Sequence, residues 1–197
     1  MAICDIIEIG DNMRIIAGEF KGRQIKAVKG DNTRPTTDKV KENIFNMMGQ
    51  FFDGGRVLDL FAGSGNLGIE AISRGMEHGV FIDLNVNAIK VIKENIAHLK
   101  LEKQVEIYRN DAFKALNVLS KKESKFDLIF LDPPYGKISV TQLLEIIIAQ
   151  NLLNNNGLIM CEYGEGLDVA YDKSRLRQIR HEIYGAIEIL ILEKLED

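Results

Sequence analysis

From Arg56 onward, short apolar runs alternate with amphipathic stretches. The runs 57–61, 80–82, 105–108, 128–131 and 158–161 are apolar at consecutive positions, which predicts strands covered on both faces. Between them, residues 67–74, 86–99, 112–119 and 141–152 place apolar side chains at helical spacing. Strands separated by helices predict a doubly wound, mostly parallel α/β sheet of the Rossmann-like kind. The C-terminal pattern differs: 175–184 and 186–194 read as strands joined tightly at Gly185, hence an antiparallel pair that brings the sheet to seven strands. Ahead of the sheet, residues 14–28 read as a small β-hairpin turning around 19–22, where Gly22 can supply a positive φ. Val40, Ile44, Met47, Met48 and Phe51 then mark one face of a helix that begins near Asp38 and is expected to end near Gly54 and Gly55.

With 197 residues, 46% of them hydrophobic, the chain can bury one substantial core but not two. The expected organisation is an N-terminal extension over 1–12, a basic hairpin and helix over 13–53, and a catalytic domain over 54–197. No apolar run approaches the roughly 20 residues that span a bilayer, and the first residues are acidic, unlike a signal peptide. A soluble cytoplasmic protein with no membrane partner is expected. Cys4 and Cys161 stand far apart and outside any zinc-ligand spacing, so free thiols and no metal are expected.

The formal net charge of −4 disguises an uneven map. Residues 14–41 hold eight basic side chains against three acidic ones, whereas 1–13 carry −3 and 42–197 carry −6. A cationic arm on an acidic body is what a phosphate-facing edge requires, although an ordinary solvated surface gives the same count. Lys21, Arg23, Arg34, Thr36 and Lys39 are the candidate nucleic-acid contacts, and a monomer is expected.

The first sheet strand runs into Asp59-Leu60-Phe61-Ala62-Gly63-Ser64-Gly65-Asn66-Leu67-Gly68, a glycine-rich turn that opens a helix and lets backbone approach a ligand closely. Taken alone, this turn fits any cofactor that contains a nucleoside. The second strand ends at Asp83, followed by Leu84; a carboxylate at that edge can accept both hydroxyls of a ribose. Asp111 and Ala112 follow the third strand. Asp111 can take an adenine amino group, or it can simply cap a helix.

The fourth strand delivers Asp132-Pro133-Pro134-Tyr135. Two prolines stiffen the loop and remove two backbone donors, leaving acceptors without competition. An exocyclic aromatic amine is a poor nucleophile because its lone pair is delocalised into the ring. The Asp132 carboxylate and the Pro133 carbonyl can hold its two protons so that the lone pair turns toward a methyl donor, with Tyr135 stacked on the base.

These residues resemble the class I methyltransferases that modify amino groups. Arg14-Ile-Ile-Ala-Gly18, Lys21-Gly-Arg23, the stretch from Arg34 to Glu42, Leu60 to Gly65 and Ser73-Arg-Gly75 are similar to the RsmD family, the bacterial 16S rRNA (guanine-N2) methyltransferases. The resemblance covers 13 to about 194. It implies S-adenosylmethionine as donor, S-adenosylhomocysteine as product, and a guanine of 16S rRNA in a 30S subunit or assembly intermediate as acceptor. It further implies that Asp59, Phe61, Ala62, Gly63 and Gly65 line the methionine side of the cofactor, Asp83 and Leu84 the ribose side, Asp111 and Ala112 the adenine, and that residues 132–135 hold the guanine. Lys39 and Lys41 depart from the arginines usual in the family, and Asn66 replaces a small apolar residue.

Four other readings compete. A DNA adenine-N6 methyltransferase shares the Asp-Pro-Pro-Tyr element but normally carries a larger recognition region than about 40 residues permit. Protein glutamine methylation usually begins the loop with Asn. A nicotinamide oxidoreductase leaves residues 132–135 unexplained, and a non-catalytic RNA-binding assembly factor is the reading from outside enzymology.

Overall fold

The computed structural model describes residues 13–28 and 38–196. Residues 1–12, including Cys4, and the expected contacts Arg34 and Thr36 lie outside the described residues. A two-residue ladder pairs β1 (Met13–Arg14) with β2 (Gln24–Ile25), and α1 spans Asp38–Met48. The main sheet then alternates with helices: β3 (Arg56–Asp59), α2 (Asn66–Ser73), β4 (His78–Asp83), α3 (Val86–Leu99), β5 (Val105–Arg109), α4 (Ala112–Lys121), β6 (Phe126–Leu131), α5 (Val140–Ala149) and β7 (Leu153–Gly164). Strands β8 (Leu176–Tyr184) and β9 (Ile187–Lys194) close the chain. The seven strands lie in the order β5-β4-β3-β6-β7-β9-β8, parallel except at the two antiparallel pairings of β9. This is the doubly wound fold that the hydrophobic pattern predicts.

Alternation along the strands divides the interior. Val57, Phe81, Leu128, Phe130 and Met160 face α1, α2, α3 and the hairpin. Leu58, Val80, Ile82, Ile129, Leu131, Ile159 and Cys161 face α4 and α5. The chain leaves β3 to build one side of the sheet and returns through β6 to build the other. A crevice therefore opens at the carboxyl ends of β3 and β6, where sheets of this kind bind ligands.

Three element ends differ most from expectation. Helix α1 stops at Met48, because Gly49 takes a φ of 109° that ends helical geometry. Phe51, expected on its apolar face, is 63% exposed. Strand β7 begins five residues early at Leu153, which pairs with Phe126 across an irregularity in the ladder. Helix α5 correspondingly ends at Ala149, just before Asn151 takes a positive φ.

The hairpin is built into the body. Ile15, Phe20 and Ile25 share the buried face with α1, α2 and α3. Glu70 of α2, fully buried, accepts the backbone N–H groups of Ile16 at 2.8 Å and Ala17 at 3.0 Å. The same carboxylate meets Lys41 of α1 at 3.1 Å and Arg74 at 2.8 Å. Ser73 donates to the Ala17 carbonyl and accepts from the Phe20 N–H, while Asn95 of α3 exchanges hydrogen bonds with the backbone of Lys26 and donates to the Ser64 carbonyl. Removing one member of a buried ion cluster leaves charges without partners, a loss of roughly 3–5 kcal/mol. Glu70→Ala is expected to lose stability on that scale in chemical denaturation, with faster amide exchange at Ile16 and Ala17 in the remaining folded protein.

Candidate active site

The glycine turn is held from three directions. Gly63 N–H donates to Asp83 at 2.8 Å, Ala62 N–H donates to the Ile82 carbonyl at 2.9 Å, and Gly65 N–H donates to the Ala62 carbonyl at 2.6 Å. Gly65 precedes α2 with no side chain to cap it. Asp59 supplies the cap from the strand, accepting the Gly68 N–H at 3.0 Å. Gly68 is required by packing: a Cβ there would stand 2.5 Å from the Phe81 ring. Above Gly63 a Cβ would meet nothing within 4 Å, so the turn faces open space.

Asp83 also accepts the Asn85 N–H, and both of its oxygens keep a further lone pair for a ribose. Next to it Leu84 is 63% exposed, a large apolar side chain with nothing laid over it. A nucleoside fits this pairing of acid and apolar shelf. Asp111 adopts the capping role, accepting the Lys114 N–H at 3.1 Å to start α4, and Ala112 is buried behind it. Phe61 is half-buried and packs toward α4 and α5.

A group of carboxylates gathers beside the turn. Asp59 pairs with Phe130 across β3 and β6, so it shares a face with Asp132, two residues beyond Phe130. Leu131 pairs with Cys161 across β6 and β7, which brings Glu162 level with Asp132 on that face. Pro133 is buried and Pro134 exposed, while Tyr135 donates to Glu162 at 2.7 Å. Burial, reinforced by Asp83, pushes the Asp59 carboxyl up to about 7 despite the Gly68 hydrogen bond. Burial with the nearby charges of Glu162 and Asp59 raises Asp132 well above the usual carboxylate range. Burial also raises Glu162, and it raises the Tyr135 phenol together with the Glu162 hydrogen bond. Carboxyls raised by burial with no cation beside them among the described residues mark a place built to receive cations or hydrogen-bond donors.

Sequence reasoning assigns Glu162 no role; its one signal is a lone acid within the apolar run 158–163. A cavity of about 410 Å³ lies between residues 133–142, which lead into α5, and Leu167, Asp168 and Val169, with Tyr135 in its wall. Tyr163 lines it from the opposite face of β7, away from Asp132 and Glu162.

The structure separates the basic candidates. Lys21 and Arg23 are exposed at the hairpin turn, which is anchored at Ser73, the last residue of α2. At 1.5 Å per residue, the helix sets them on the order of 10 Å from the glycine turn at its start. Lys39 is exposed on α1 near the opposite end. Lys41, counted in sequence with the phosphate-facing charges, is buried and donates to the Arg14 carbonyl at 2.6 Å and to Asn66 at 2.7 Å. Its ion pair with Glu70 removes it from any RNA contact. Arg14 and Lys26 are spent in exposed pairs with Asp38 and Glu94.

The family model described as "Conserved hypothetical protein 95" matches residues 13–193. A protein named putative rRNA methyltransferase YlbH from Bacillus subtilis is 49% identical over 92% of this chain and 99% of its own. The ribosomal RNA small subunit methyltransferase D of Haemophilus influenzae is 34% identical over 76% of this chain and 78% of its own. A solved putative methylase from Haemophilus influenzae superposes with a TM-score of 0.78 at 28% identity, covering 94% of this chain and 99% of that one. The chain belongs to this family. It is the RsmD family whose motifs the sequence resembles.

Asn66 begins α2 and accepts from Lys41 at a part-buried contact in the first turn of the helix, so the buried Lys41 serves packing rather than an exposed phosphate contact.

A carboxyl raised by folding stabilises the native state fully below its ordinary pKa and loses that contribution as pH rises through its folded value. For Asp59 the loss is therefore expected to run from the ordinary carboxylate range up to about 7. Melting temperatures of the parent protein and Asp59→Asn, compared from acid to neutral pH, should change in the asparagine variant's favour as pH rises; parallel curves would exclude Asp59 as the titrating group.

Proposed function

We propose that this chain transfers a methyl group from S-adenosylmethionine to the exocyclic N2 of a guanine in 16S rRNA, presented by a 30S particle or an assembly intermediate. The observation that carries the reading is the placement of Asp132 beside the glycine turn and Asp59, on one face of two adjacent strand ends. The names of the relatives supply the rRNA, and the family resemblance supplies the guanine N2. Class and cofactor fit the donor set: an acid and an apolar shelf for the nucleoside, and buried carboxylates for a cationic amino acid moiety.

When bound, S-adenosylmethionine supplies a methyl carbon already activated by its sulfonium. The protein's part is positioning. Asp83 and Leu84 orient the nucleoside, and Asp59 with the turn at Gly63 and Gly65 aligns the methionine end. Asp132 and the Pro133 carbonyl hold the amine protons, while the Tyr135 ring, 53% exposed, offers a stacking surface to a base flipped from its helix or loop. Holding amine and methyl in line is worth roughly 7–11 kcal/mol of barrier, more than a proton acceptor contributes. Asp132, held above the usual carboxylate range by burial, can take the proton that the methylated nitrogen sheds.

Asp132→Ala is expected to lower turnover at least a hundredfold on small-subunit rRNA or particles from cells lacking the enzyme, with cofactor affinity nearly unchanged. Equal losses in both would remove Asp132 from the chemistry. Among the described residues Lys21, Arg23 and Lys39 have no carboxylate partner. Neutralising all three should flatten the dependence of log affinity on log salt by about two for contacts to single-stranded RNA; an unchanged slope places the phosphates elsewhere.

A further inference from the structure

Glu162 remains unexplained by the chemistry above. It is 4% exposed at the end of a central strand, where a charged side chain needs a partner. One oxygen, Oε1, accepts the Tyr135 hydroxyl at 2.7 Å. The other, Oε2, is buried and accepts from nothing among the described residues. A buried acceptor left without a donor costs about 1–3 kcal/mol, more when charged, and a site that tolerates it is shaped for a donor that arrives with a ligand.

Strand register says which ligand. Asp132 and Glu162 follow the paired residues Leu131 and Cys161, so two carboxylates stand side by side on neighbouring strands, at a spacing of about 4.8 Å between backbones. A base stacked on Tyr135 meets both with one edge. On its Watson–Crick edge, guanine presents the N2 amine next to the N1–H, two donors in a row. Adenine presents its amine next to a bare N1 acceptor. Two adjacent carboxylates suit the first edge and repel the second.

We propose that Glu162 is the specificity-determining contact of this site, its Oε2 accepting the guanine N1–H while Asp132 holds the adjacent N2 amine. The inference rests on the reading that a base amine is the acceptor, and it adds a reason, internal to the structure, for that base to be guanine. The hydrogen bond to Tyr135 fixes the Glu162 rotamer and ties the stacking ring to the recognition edge. Burial raises both acids, and the charge of Glu162 adds to the shift of Asp132, as expected of neighbouring carboxyls with no cation among the described residues to balance them.

The test uses 2-aminopurine, which keeps the 2-amino group but has an unprotonated N1 and adds no bulk. Small-subunit particles are reconstituted with guanine or 2-aminopurine at the nucleotide that the parent enzyme methylates, and kcat/KM is measured on each. The parent enzyme is expected to prefer guanine by a hundredfold or more. Glu162→Gln keeps the shape and an acceptor for Tyr135 but offers an amide N–H where Oε2 stood, so the preference should fall at least tenfold. Loss of guanine O6 contacts affects both enzymes equally and cancels in that comparison. Glu162→Ala, which offers neither donor nor acceptor, should bring the ratio toward one. Binding of S-adenosylhomocysteine verifies that each variant is folded.

An unchanged ratio in both folded variants overturns the assignment. So does a Tyr135→Phe variant that narrows the ratio as far as Glu162→Ala does, since Glu162 would then act only by placing the ring. A parent enzyme that binds S-adenosylhomocysteine yet methylates neither particle overturns the base-amine reading itself, and this inference with it.

Discussion

One buried carboxylate ties the architecture together. Glu70 sits within α2, directly after the glycine turn, and receives two backbone N–H groups from the hairpin, the Lys41 ammonium from α1 and the Arg74 guanidinium from its own helix. A charge sealed from water persists only where donors surround it, and these donors come from three separate stretches of chain. Burial lowers the Lys41 pKa while Glu70 works against that shift, as expected of an ion pair at the margin between gain and desolvation. The Arg74 guanidinium lies 4.5 Å from the Phe45 ring centroid, carrying the same cluster into the aromatic core. Because Lys41 also reaches Asn66, the cluster extends to the first residue of α2 and so to the glycine turn.

The opposite electrostatic situation prevails a few residues away. Asp59, Asp132 and Glu162 lie on one face with no cation among the described residues to balance them, and each is driven toward its protonated form chiefly by burial. Glu70 has cationic partners in the protein, whereas these three acids have none among the described residues, although Glu70 and Glu162 are both nearly inaccessible.

Much of this was legible in the residues alone. Runs apolar on both faces located every parallel strand, and the Asp59-to-Gly68 and Asp132-to-Tyr135 segments were visible because their chemistry is local: a turn needs glycines, and a rigid acceptor loop needs prolines. What stayed hidden depends on pairing between distant segments. Glu162 acquires meaning only from the β6–β7 register, which periodicity does not report. Lys41 looked like one more surface cation because its partner, Glu70, lies 29 residues on and on another helix. The end of α1 is set by Gly49, whose positive φ is invisible in a pattern where the Gly54-Gly55 pair is the more conspicuous stop.

The way the hairpin is seated also bears on how such enzymes can be recombined. Its backbone is satisfied by Glu70, Ser73 and Asn95, side chains of the sheet-covering helices rather than of the hairpin. Grafted onto a relative without those three, the hairpin would arrive with orphaned N–H and carbonyl groups and no means of settling. A chimera must exchange both helical surfaces with it, so the unit of inheritance is the docked ensemble, and its N-terminal boundary in sequence is no seam in three dimensions.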